Sequence, residues 1–369
     1  MKIENVQTYR VSVPLIKPFK TALRTVERAE SIFVKISCDN GIAGWGEAPP
    51  TLVITGDSLA GIEAAIIGVL KPALIGKHIV HFESLFQDMK TILVGNSSAK
   101  AAVDMAIYDC LAQHCSLPLY QLLGGHKNQL ETDFTVSVNS PAEMGEDAAG
   151  YISQGFNVLK VKVGKDDIST DMERIRTIRH RVGPEVKIRL DANQGWSPKD
   201  AVRAIRRMED AGLDIELVEQ PVKAEDIEGL KQVTDHVETL IMADESVFTP
   251  KQALQVLKTR SADLINIKLM KAGGIYQAQN INAIAEACGV ECMVGSMIET
   301  KLGITAAAHF AASKKNITRF DFDAPLMLAE DIIDGGIQYD GRNITIPDSP
   351  GLGIRQVDIK GGNTIANQQ

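Results

Sequence analysis

The chain has 369 residues, of which 44% are hydrophobic and 23% are charged, and its formal net charge at pH 7 is -8. These proportions are those of an ordinary globular protein and exclude a disordered, collagen-like or coiled-coil chain. The negative charge disfavours nucleic acid and anionic membranes as partners. No apolar segment of signal-peptide length begins the chain, and no stretch approaches about 18 uninterrupted apolar residues. We therefore expect a cytoplasmic protein that does not associate with membranes.

Cysteine and histidine usage limits the kinds of metal and redox site. The five cysteines show no CxxC spacing, and the seven histidines form no HxH or HExxH pattern. A disulfide framework and a zinc site are therefore disfavoured, and we expect all five cysteines to be packing residues. Any metal ion in this protein must be bound through oxygen ligands.

The first 125 residues predict an α+β capping domain. Residues 17–30 and 49–57 are polar or marked by Gly and Pro, so both segments predict loops that could cover a site. The remaining patterns predict strands at Ile3–Val13, Ser31–Cys38 and Ile42–Glu47 and helices at Ser58–Leu70 and Ala99–His114.

From residue 126 onwards, short apolar segments alternate with amphipathic helical patterns. A polar residue near the end of each segment recurs every 24 to 31 residues, which is the length of one βα unit in a parallel sheet. Ser140, Ser197 and Thr249 each precede a proline, a pattern that begins a helix. The eight candidate strands lie within residues 132–138, 158–163, 187–193, 215–221, 241–246, 264–270, 292–299 and 317–323.

Eight such units predict a TIM-like (β/α)7β barrel over residues 126–329. The alternative is an open doubly wound sheet, which normally carries a Gly-rich phosphate turn after its first strand. No G-x-G-x-x-G follows any candidate strand, which favours the barrel. The eighth helical pattern is weak, and residues 330–369 have the composition of hairpins and turns. We expect this C-terminal segment to return to the capping domain.

Three acidic residues, Asp191, Glu219 and Asp244, stand at the ends of the third, fourth and fifth candidate strands. The carboxyl ends of barrel strands meet at one mouth, so three ionised carboxylates there would repel each other unless a cation lies among them. The sequence predicts one Mg²⁺ per subunit, with Mn²⁺ as an alternative, and room for substrate oxygens in its coordination shell. Alternatively, single acids could cap helices or pair with lysines.

Three lysines are embedded in apolar strand patterns. Lys160 and Lys162 alternate around Val161 and so share one face of the second strand, which we expect to be the barrel interior. Lys268 lies on the sixth strand, four positions round the ring, so it should face Lys162 across the mouth. Crowding by the metal and by the other lysine of this strand should lower the pKa of either Lys160 or Lys162. For Lys160 and Lys162, the alternative is that their strand is an ordinary solvated edge strand.

Two facing lysines suit proton transfer at a carbon next to a carboxylate. A metal-bound carboxylate substrate would present its α-carbon to one lysine on each face, and the cation would stabilise the ene-diolate. Two bases predict inversion of configuration, whereas elimination on a single face needs only one.

Polar groups elsewhere at the mouth suggest substrate contacts. Asp321 and Asp323 share a face of the eighth strand, opposite the fourth strand and away from the metal, where they could hold a cationic substrate group. They could instead cap helices. Arg24 in the first covering loop could pair with a further substrate carboxylate or could simply be solvated.

The motifs resemble the muconate-lactonizing subgroup of the enolase superfamily over almost the whole chain. The matching segments are KVK at 160–162, DANQGW from Asp191, VEQP from Glu219, ADES from Asp244, NIKLMKAGG around Lys268, GWGEA at 44–48 and PGLGI near the C-terminus. A lysine base with Mg²⁺ is the pattern known for this superfamily. Within the subgroup, DFD at 321–323, FKTALRT and PPTLVITGD resemble the dipeptide epimerases.

This resemblance implies roles for individual residues. Asp191, Glu219 and Asp244 become Mg²⁺ ligands, and Lys162 and Lys268 become the bases for the two epimers. Substrate contacts are implied for Arg24 with the glutamate side chain, Lys160 with the metal-bound carboxylate, Asp321 and Asp323 with the ammonium, and Thr135, Ser296 and Ile298 with the peptide unit.

The implied activity is Mg²⁺-dependent epimerisation of L-Ala-D-Glu and L-Ala-L-Glu dipeptides in murein peptide metabolism, by an enzyme that we expect to be a homo-oligomer. An o-succinylbenzoate synthase or N-acylamino acid racemase on the same scaffold is the alternative, but its substrate has no cationic group for Asp321 and Asp323. A non-catalytic metal-dependent peptide-binding protein is a further alternative, although binding alone needs no pair of facing bases.

Overall fold

A computed structural model describes residues 1–359 of the chain. The N-terminal region contains an antiparallel sheet of three strands, in the order β1, β2, β3, that packs against helices. The strands are β1 (Ile3–Lys20), β2 (Thr25–Cys38) and β3 (Ala43–Ala48), and the helices are α1 (Leu59–Ala65), α2 (Lys71–Leu74), α3 (Phe82–Ile92), α4 (Ser97–His114) and α5 (Leu119–Leu122). A π-helical turn at Ile66–Leu70 joins α1 to α2, and a 3₁₀ turn at Ile79–His81 precedes α3.

The prediction of a loop at residues 17–30 is wrong for most of that segment. Strand β1 continues to Lys20 and β2 begins at Thr25, so only four residues turn the hairpin. The pairing of Phe19 with Val26 continues this ladder after a register shift beyond Pro14. The hairpin tip does not show the alternation of buried and exposed residues that predicts a strand. Phe19 is buried, whereas the three preceding residues, Ile16, Lys17 and Pro18, are all exposed. Residues 49–57 do form a turn-rich loop, as predicted.

Eight parallel strands in sequential order form the curled sheet of the second domain. They are β5 (Phe134–Val136), β6 (Val158–Lys162), β7 (Lys187–Asp191), β8 (Ile215–Glu219), β9 (Leu240–Ala243), β10 (Leu264–Ile267), β11 (Cys292–Val294) and β12 (Ile317–Phe320); a short β4 (Gln129–Glu131) precedes them. The connecting helices are α6 (Pro141–Ser153), α7 (Ile168–Val182), α8 (Pro198–Asp210), α9 (Ile227–Thr234), α10 (Pro250–Thr259), α11 (Leu269–Ala272), α12 (Ile275–Ala287) and α13 (Lys301–Ala312).

The first and last strands of this sheet approach each other, which confirms the predicted TIM-like (β/α)7β architecture. The backbone nitrogen of Asp133, just before β5, donates to the carbonyl of Phe320 in β12 at 3.2 Å. Seven helical connections join the eight strands, and a 3₁₀ turn at Ala324–Met327 follows β12 in place of an eighth α-helix; no α-helix occurs between this turn and residue 359. The weak eighth helical pattern in the sequence therefore corresponds to a missing helix.

Helix starts agree with the sequence signals. The side chains of Ser140, Ser197 and Thr249 each accept a hydrogen bond from a backbone N–H in the first turn, and a proline follows each of them. Helix α8 is followed by Gly212, whose φ of 62° is left-handed and costs a glycine little. These boundaries place the carboxyl ends of the strands at one side of the barrel.

The C-terminal segment forms short strands that touch both domains. Strands β13 (Ile333–Gly335) and β16 (Ile354–Val357) pair with each other, while β14 (Gln338–Asp340) pairs with β15 (Asn343–Thr345), which also pairs with β4. The carbonyl of Gly351 accepts from Leu119 N at 2.9 Å. The domain limits at 1–125 and 126–329 stay predictions, and residues 360–369 of the predicted returning segment lie outside the described residues.

The burial of the cysteines differs in part from expectation. Cys38, Cys110 and Cys292 are buried, but Cys115 and Cys288 are exposed, so the prediction of five packing cysteines is wrong for two of them. Both lie just past the end of a helix, where the chain turns at the surface. No helix within residues 1–359 is long and apolar enough to cross a bilayer.

Candidate active site

The predicted site residues gather at the carboxyl ends of the barrel strands, beneath the capping domain. Nine of the twelve line one cavity with a free volume of about 50 Å³: Arg24, Thr135, Lys160, Lys162, Lys268, Ser296, Ile298, Asp321 and Asp323. Phe19, Leu23, Val53 and Ile54 of the capping domain complete its wall. The other three, Asp191, Glu219 and Asp244, are buried and contact the lysines.

The three acids lie on or next to neighbouring strands. Asp191 and Glu219 end β7 and β8 and are directly paired in register, and Asp244 follows β9. Burial opposes their ionisation, but Lys162 and Lys160 lower the pKa of Asp191 to about 2. Burial and the charge of Asp191 raise the pKa of Glu219 to about 7. Three carboxylates at 0–1% exposure thus depend on the neighbouring cations for their charge.

Lys160 lies at the centre of this cluster. Its Nζ is 2.7 Å from Glu219 Oε2, 2.8 Å from Asp321 Oδ2 and 3.3 Å from Asp191 Oδ2. The sequence predicted that Asp321, on the strand opposite β8, would lie far from Asp191 and Glu219. Asp321 instead lies close to both acids, because the Lys160 ammonium group contacts all three carboxylates. Burial disfavours the charged form of Lys160, but Asp321 and Glu219 outweigh burial and raise its pKa well above the usual value.

Lys162 and Lys268 contact different acids. Lys162 Nζ is 2.6 Å from Asp191 Oδ2, and Lys268 Nζ is 2.9 Å from Asp244 Oδ2. Burial disfavours the Lys268 ammonium, yet the charge of Asp244 raises its pKa above the usual value. The carboxylate of Asp244 contacts this ammonium group directly and so favours its charged form.

Asp321 and Asp323 differ in their partners. Asp321 follows β12 and pairs with Lys160, while Asp323 Oδ2 accepts from the backbone nitrogen of Thr135 at 2.6 Å. Asp323 precedes the 3₁₀ turn at Ala324–Met327, but its side chain makes no capping hydrogen bond there. Burial and the charge of Asp321 raise the pKa of Asp323 to about 7. Asp323 is thus the less strongly paired carboxylate of the two.

Arg24 lies in the tight turn between β1 and β2. Its guanidinium is half-buried, and burial lowers its pKa from the usual value. Among residues 1–359, no carboxylate forms an ion pair with Arg24. The nearby Arg28, by contrast, donates to Ser12 Oγ at 2.7 Å. Arg24 can therefore offer its donors to an anion in the cavity.

Several polar residues of the site were missed from the sequence. Asn266 Nδ2 donates to Glu219 Oε1 at 2.7 Å, and strand alternation with Lys268 could have identified it. Lys271 Nζ lies 2.6 Å from Asp244 Oδ1. Asn193 lines the cavity with a left-handed φ of 42°, which the sequence pattern does not reveal. Gln220 Oε1 accepts from Asp244 N at 2.9 Å and so fixes the backbone at that acid.

The donor set of the three acids is chemically suited to a hard divalent cation, because it consists of carboxylate oxygens on neighbouring strands. In the described side-chain conformations of residues 1–359, however, no three His, Cys, Asp or Glu side chains are arranged to hold a metal ion. The ammonium of Lys160 lies between Asp191 and Glu219 instead. Metal binding would therefore require the lysine and carboxylate side chains to adjust.

Comparison with known proteins decides the family. Residues 3–124 match the family described as mandelate racemase / muconate lactonizing enzyme, N-terminal domain. Residues 143–358 match the family described as enolase C-terminal domain-like. The chain belongs to the enolase superfamily, in its mandelate racemase / muconate lactonizing enzyme branch. The resemblance inferred from the sequence motifs is thereby confirmed.

Several proteins that are similar to this chain are named as epimerases. An L-Ala-D/L-Glu epimerase of Bacillus subtilis is 69% identical over 96% of this chain and 97% of its own length. The substrate-liganded structure of an L-Ala-D/L-Glu epimerase from Bacillus subtilis gives a TM-score of 0.96 and covers 97% of this chain and 99% of its own. An L-Ala-D/L-Glu epimerase of Clostridium acetobutylicum is 50% identical over 97% of this chain and 100% of its own length.

A solved structure of a dipeptide epimerase from Enterococcus faecalis, complexed with Mg and L-Leu-L-Tyr, is 46% identical. It gives a TM-score of 0.94 and covers 96% of this chain and 100% of its own. The prediction of an isomerase is confirmed.

Proposed function

We propose that the protein epimerises dipeptides at their C-terminal residue, by removing the α-proton on one face and returning a proton on the other. Support comes from the positions of Lys162 and Lys268, which stand at the carboxyl ends of β6 and β10, four strands apart in the eight-stranded barrel. Both ammonium groups reach the same cavity. Opposed bases are what inversion at one carbon requires.

We also propose that Asp191, Glu219 and Asp244 hold one Mg²⁺ per subunit, with Mn²⁺ also suited to the oxygen donors. A divalent cation bound there would neutralise the carboxylates that contact the lysines and would stabilise an ene-diolate form of the substrate. The Mg-containing structure of the 46% identical relative supports this assignment. Lys160, within 3.3 Å of two of these acids, would lie beside the substrate carboxylate.

The proposed substrates are L-Ala-D-Glu and L-Ala-L-Glu, with a role in murein peptide metabolism. Asp321 and Asp323 would receive the free ammonium group, and Arg24 the glutamate side chain. The peptide unit would contact Thr135 and the segment that carries Ser296 and Ile298. The two relatives at 69% and 50% identity carry this substrate pair in their names, which supports the proposal.

An N-acylamino acid racemase or o-succinylbenzoate synthase would use the same acids and lysines. Its substrate lacks an ammonium group, so it would leave buried Asp323 facing an uncharged ligand. This mismatch makes the dipeptide the better candidate.

Proton exchange in D₂O tests the proposed activity. L-Ala-L-Glu and L-Ala-D-Glu are incubated separately with the protein and Mg²⁺, and the glutamate α-proton is followed by NMR. Both epimers should lose the α-proton signal and converge on one mixture, whereas N-acetyl-L-Ala-L-Glu should exchange more slowly. Absence of exchange from both dipeptides would reject the enzymatic proposal, and faster exchange from the acylated compound would favour the alternative.

Titration of the protein with Mg²⁺ tests the metal site independently of turnover. Calorimetry should detect one ion per chain, and Asp244→Asn should weaken binding by about 10-fold or more because one charged ligand is lost. Asp263→Asn, which changes a partly buried acid between β9 and β10 outside the site, serves as the control. Equal Mg²⁺ affinity in both variants would contradict the ligand assignment.

A further inference from the structure

Glu47 is a capping-domain carboxylate that binds the barrel domain. It lies on β3 within the GWGEA motif and is fully buried, at 0% exposure. Its Oε1 accepts from Thr300 N at 2.9 Å and from Ser31 Oγ at 2.7 Å, and its Oε2 accepts from Thr300 Oγ1 at 2.7 Å and Gly303 N at 2.8 Å. Three of these four bonds therefore join β3 to the start of α13, some 250 residues later.

The motif around Glu47 is built for this contact. A Cβ on Gly44 would lie 2.2 Å from the carbonyl of Ala106, and one on Gly46 would lie 2.0 Å from that of Ala102. The two glycines therefore let β3 pack directly against α4. Because side chains alternate along a strand, Glu47 then points away from α4 and towards α13. Among residues 1–359, no lysine or arginine forms an ion pair with Glu47, so its hydrogen bonds are its main compensation.

The segment held by Glu47 forms one wall of the candidate active site. Residues 295–300 connect β11 to α13, and Ser296, Met297 and Ile298 line the cavity. Gly295 lies against the sixth strand, since a Cβ there would come within 3.2 Å of Lys268 Cε. A displacement of this segment would therefore move the cavity wall beside Lys268.

A second carboxylate strengthens the connection. Glu299 is buried, and its Oε1 accepts from Met297 N at 2.9 Å, which fixes the backbone inside the segment. A Cβ on Gly303 would lie 2.3 Å from Glu299 Oε2 and 3.1 Å from Glu47 Oε2, so both carboxylates converge over that glycine. Burial and the charge of Glu47 raise the pKa of Glu299 to about 8.

We propose that Glu47 is a positioning residue for the epimerisation, which holds the 295–300 segment so that Lys268 and the substrate are correctly aligned. The proposal rests on the proposed function. It assigns to the capping domain a role in one half of the proton transfer, in addition to covering the site. The contact acts on the face of Lys268 and leaves Lys162 with its own partner, Asp191.

Glu47→Gln tests this role, because an amide nitrogen replaces one of the two acceptor oxygens. The backbone N–H of either Thr300 or Gly303 then loses its acceptor. Exchange in D₂O is measured from each epimer with the purified full-length protein. The epimer that depends on Lys268, identified by its loss in Lys268→Ala, should slow roughly 10- to 100-fold, as expected for a misaligned group. The epimer that depends on Lys162 should slow several-fold less, so the ratio of the two rates shifts.

Asp109→Asn is the matched control. Asp109 is also a buried acceptor in the capping domain, and its hydrogen bonds within residues 1–359 come from Trp45 N, Gln113 Nε2 and Leu352 N, none of them in the 295–300 segment. The Asp109→Asn variant should keep the wild-type ratio of the exchange rates of the two epimers, even if the substitution lowers the melting temperature. Thr300→Val and Thr300→Ser provide a second pair, and only the valine variant, which loses the hydroxyl donor, should shift the ratio.

The outcomes separate this proposal from the proposed function. Equal slowing of both epimers in Glu47→Gln, or no slowing, would overturn the positioning role while the activity stands. If Glu47→Gln does not fold, the Thr300 pair gives the same decision. Absence of exchange in the unmodified protein would reject the proposed function and this proposal with it.

Discussion

The backbone nitrogen of Thr135 donates to Asp323 Oδ2 at 2.6 Å, across the junction where the first and last barrel strands meet. Asp323 also lines the candidate active-site cavity. Because burial and Asp321 raise the pKa of Asp323 to about 7, this carboxyl is only partly ionised at neutral pH. A group with these properties would link recognition of an ammonium ion to pH.

Substrate affinity should therefore depend on pH through Asp323. Only the ionised carboxyl attracts an ammonium group, so kcat/KM for L-Ala-L-Glu should rise as pH increases through about 7. Asp323→Asn should remove this rise and lower kcat/KM by roughly 10- to 100-fold, the effect of losing one charged hydrogen bond. The check is a pH profile with both proteins. An unchanged profile in the variant would exclude Asp323 from ammonium binding, and N-acetyl-L-Ala-L-Glu should show little dependence on this residue.

Arg24 should determine the preference for an acidic C-terminal residue. Replacing it by Ala removes a half-buried guanidinium without an internal ion pair, so KM for L-Ala-L-Glu should rise about 10-fold or more. L-Ala-L-Leu should be affected much less. Arg28→Ala is the control, since Arg28 lies on the same hairpin but is bonded to Ser12. If Arg24→Ala raises KM equally for both dipeptides, Arg24 acts on the conformation of the loop and not on the glutamate side chain.

His309 should make the fold less stable in acid. Burial lowers its pKa to about 3, while the unfolded chain binds a proton near pH 6.5. As pH falls from 6.5 towards 3, protons bind the unfolded state preferentially, and stability decreases by at most about 1.4 kcal/mol per pH unit from this group. Urea unfolding at several pH values in this range should show that the free energy of unfolding falls less steeply in His309→Gln than in the wild type. The glutamine side-chain oxygen can still accept the hydrogen bond from Tyr120 N.

A control histidine distinguishes this effect from general acid unfolding. His236 is exposed on the barrel surface, so His236→Gln should keep the wild-type dependence. An identical loss of stability with pH in His309→Gln and the wild type would show that His309 does not contribute.

The sequence was sufficient to predict the barrel and the residues at its mouth. Spacing placed Asp191, Glu219 and Lys162 on strand ends, because parallel βα units have a narrow range of lengths and their strands all end at one face. The short strands place Asp244, Lys268 and Asp321 one residue beyond the ladder. Lys268 and Asp321 still line the cavity there, and Asp244 contacts Lys268.

Other features depend on contacts that spacing does not encode. The hairpin carrying Phe19 lacks an apolar alternation because its tip projects beyond the sheet. The bonds of Glu47 to Thr300 join residues 253 positions apart, so only the assembled domains reveal them. The direction of the pKa shift of Lys268 also depends on its contact with Asp244, which the strand spacing does not reveal.

Lys162 and Lys268 should act on opposite epimers. Each contacts a different acid, Asp191 or Asp244, and each reaches the cavity from its own side of the barrel. Removing one base should slow exchange from the epimer whose α-proton faces it by about 100-fold or more, the usual contribution of a general base. The other epimer should keep measurable exchange, because its proton is still removed and solvent deuterium on that lysine can be returned to the same face.

The measurement is the rate of α-proton loss from each epimer in D₂O for Lys162→Ala and Lys268→Ala. The two variants should show opposite preferences, so the ratio of rates inverts from one to the other. Lys165→Ala, at an exposed lysine three residues beyond Lys162, should retain the wild-type ratio. Equal residual exchange from both epimers in either variant would contradict two opposed bases, because a single base or a purely electrostatic lysine does not distinguish the faces.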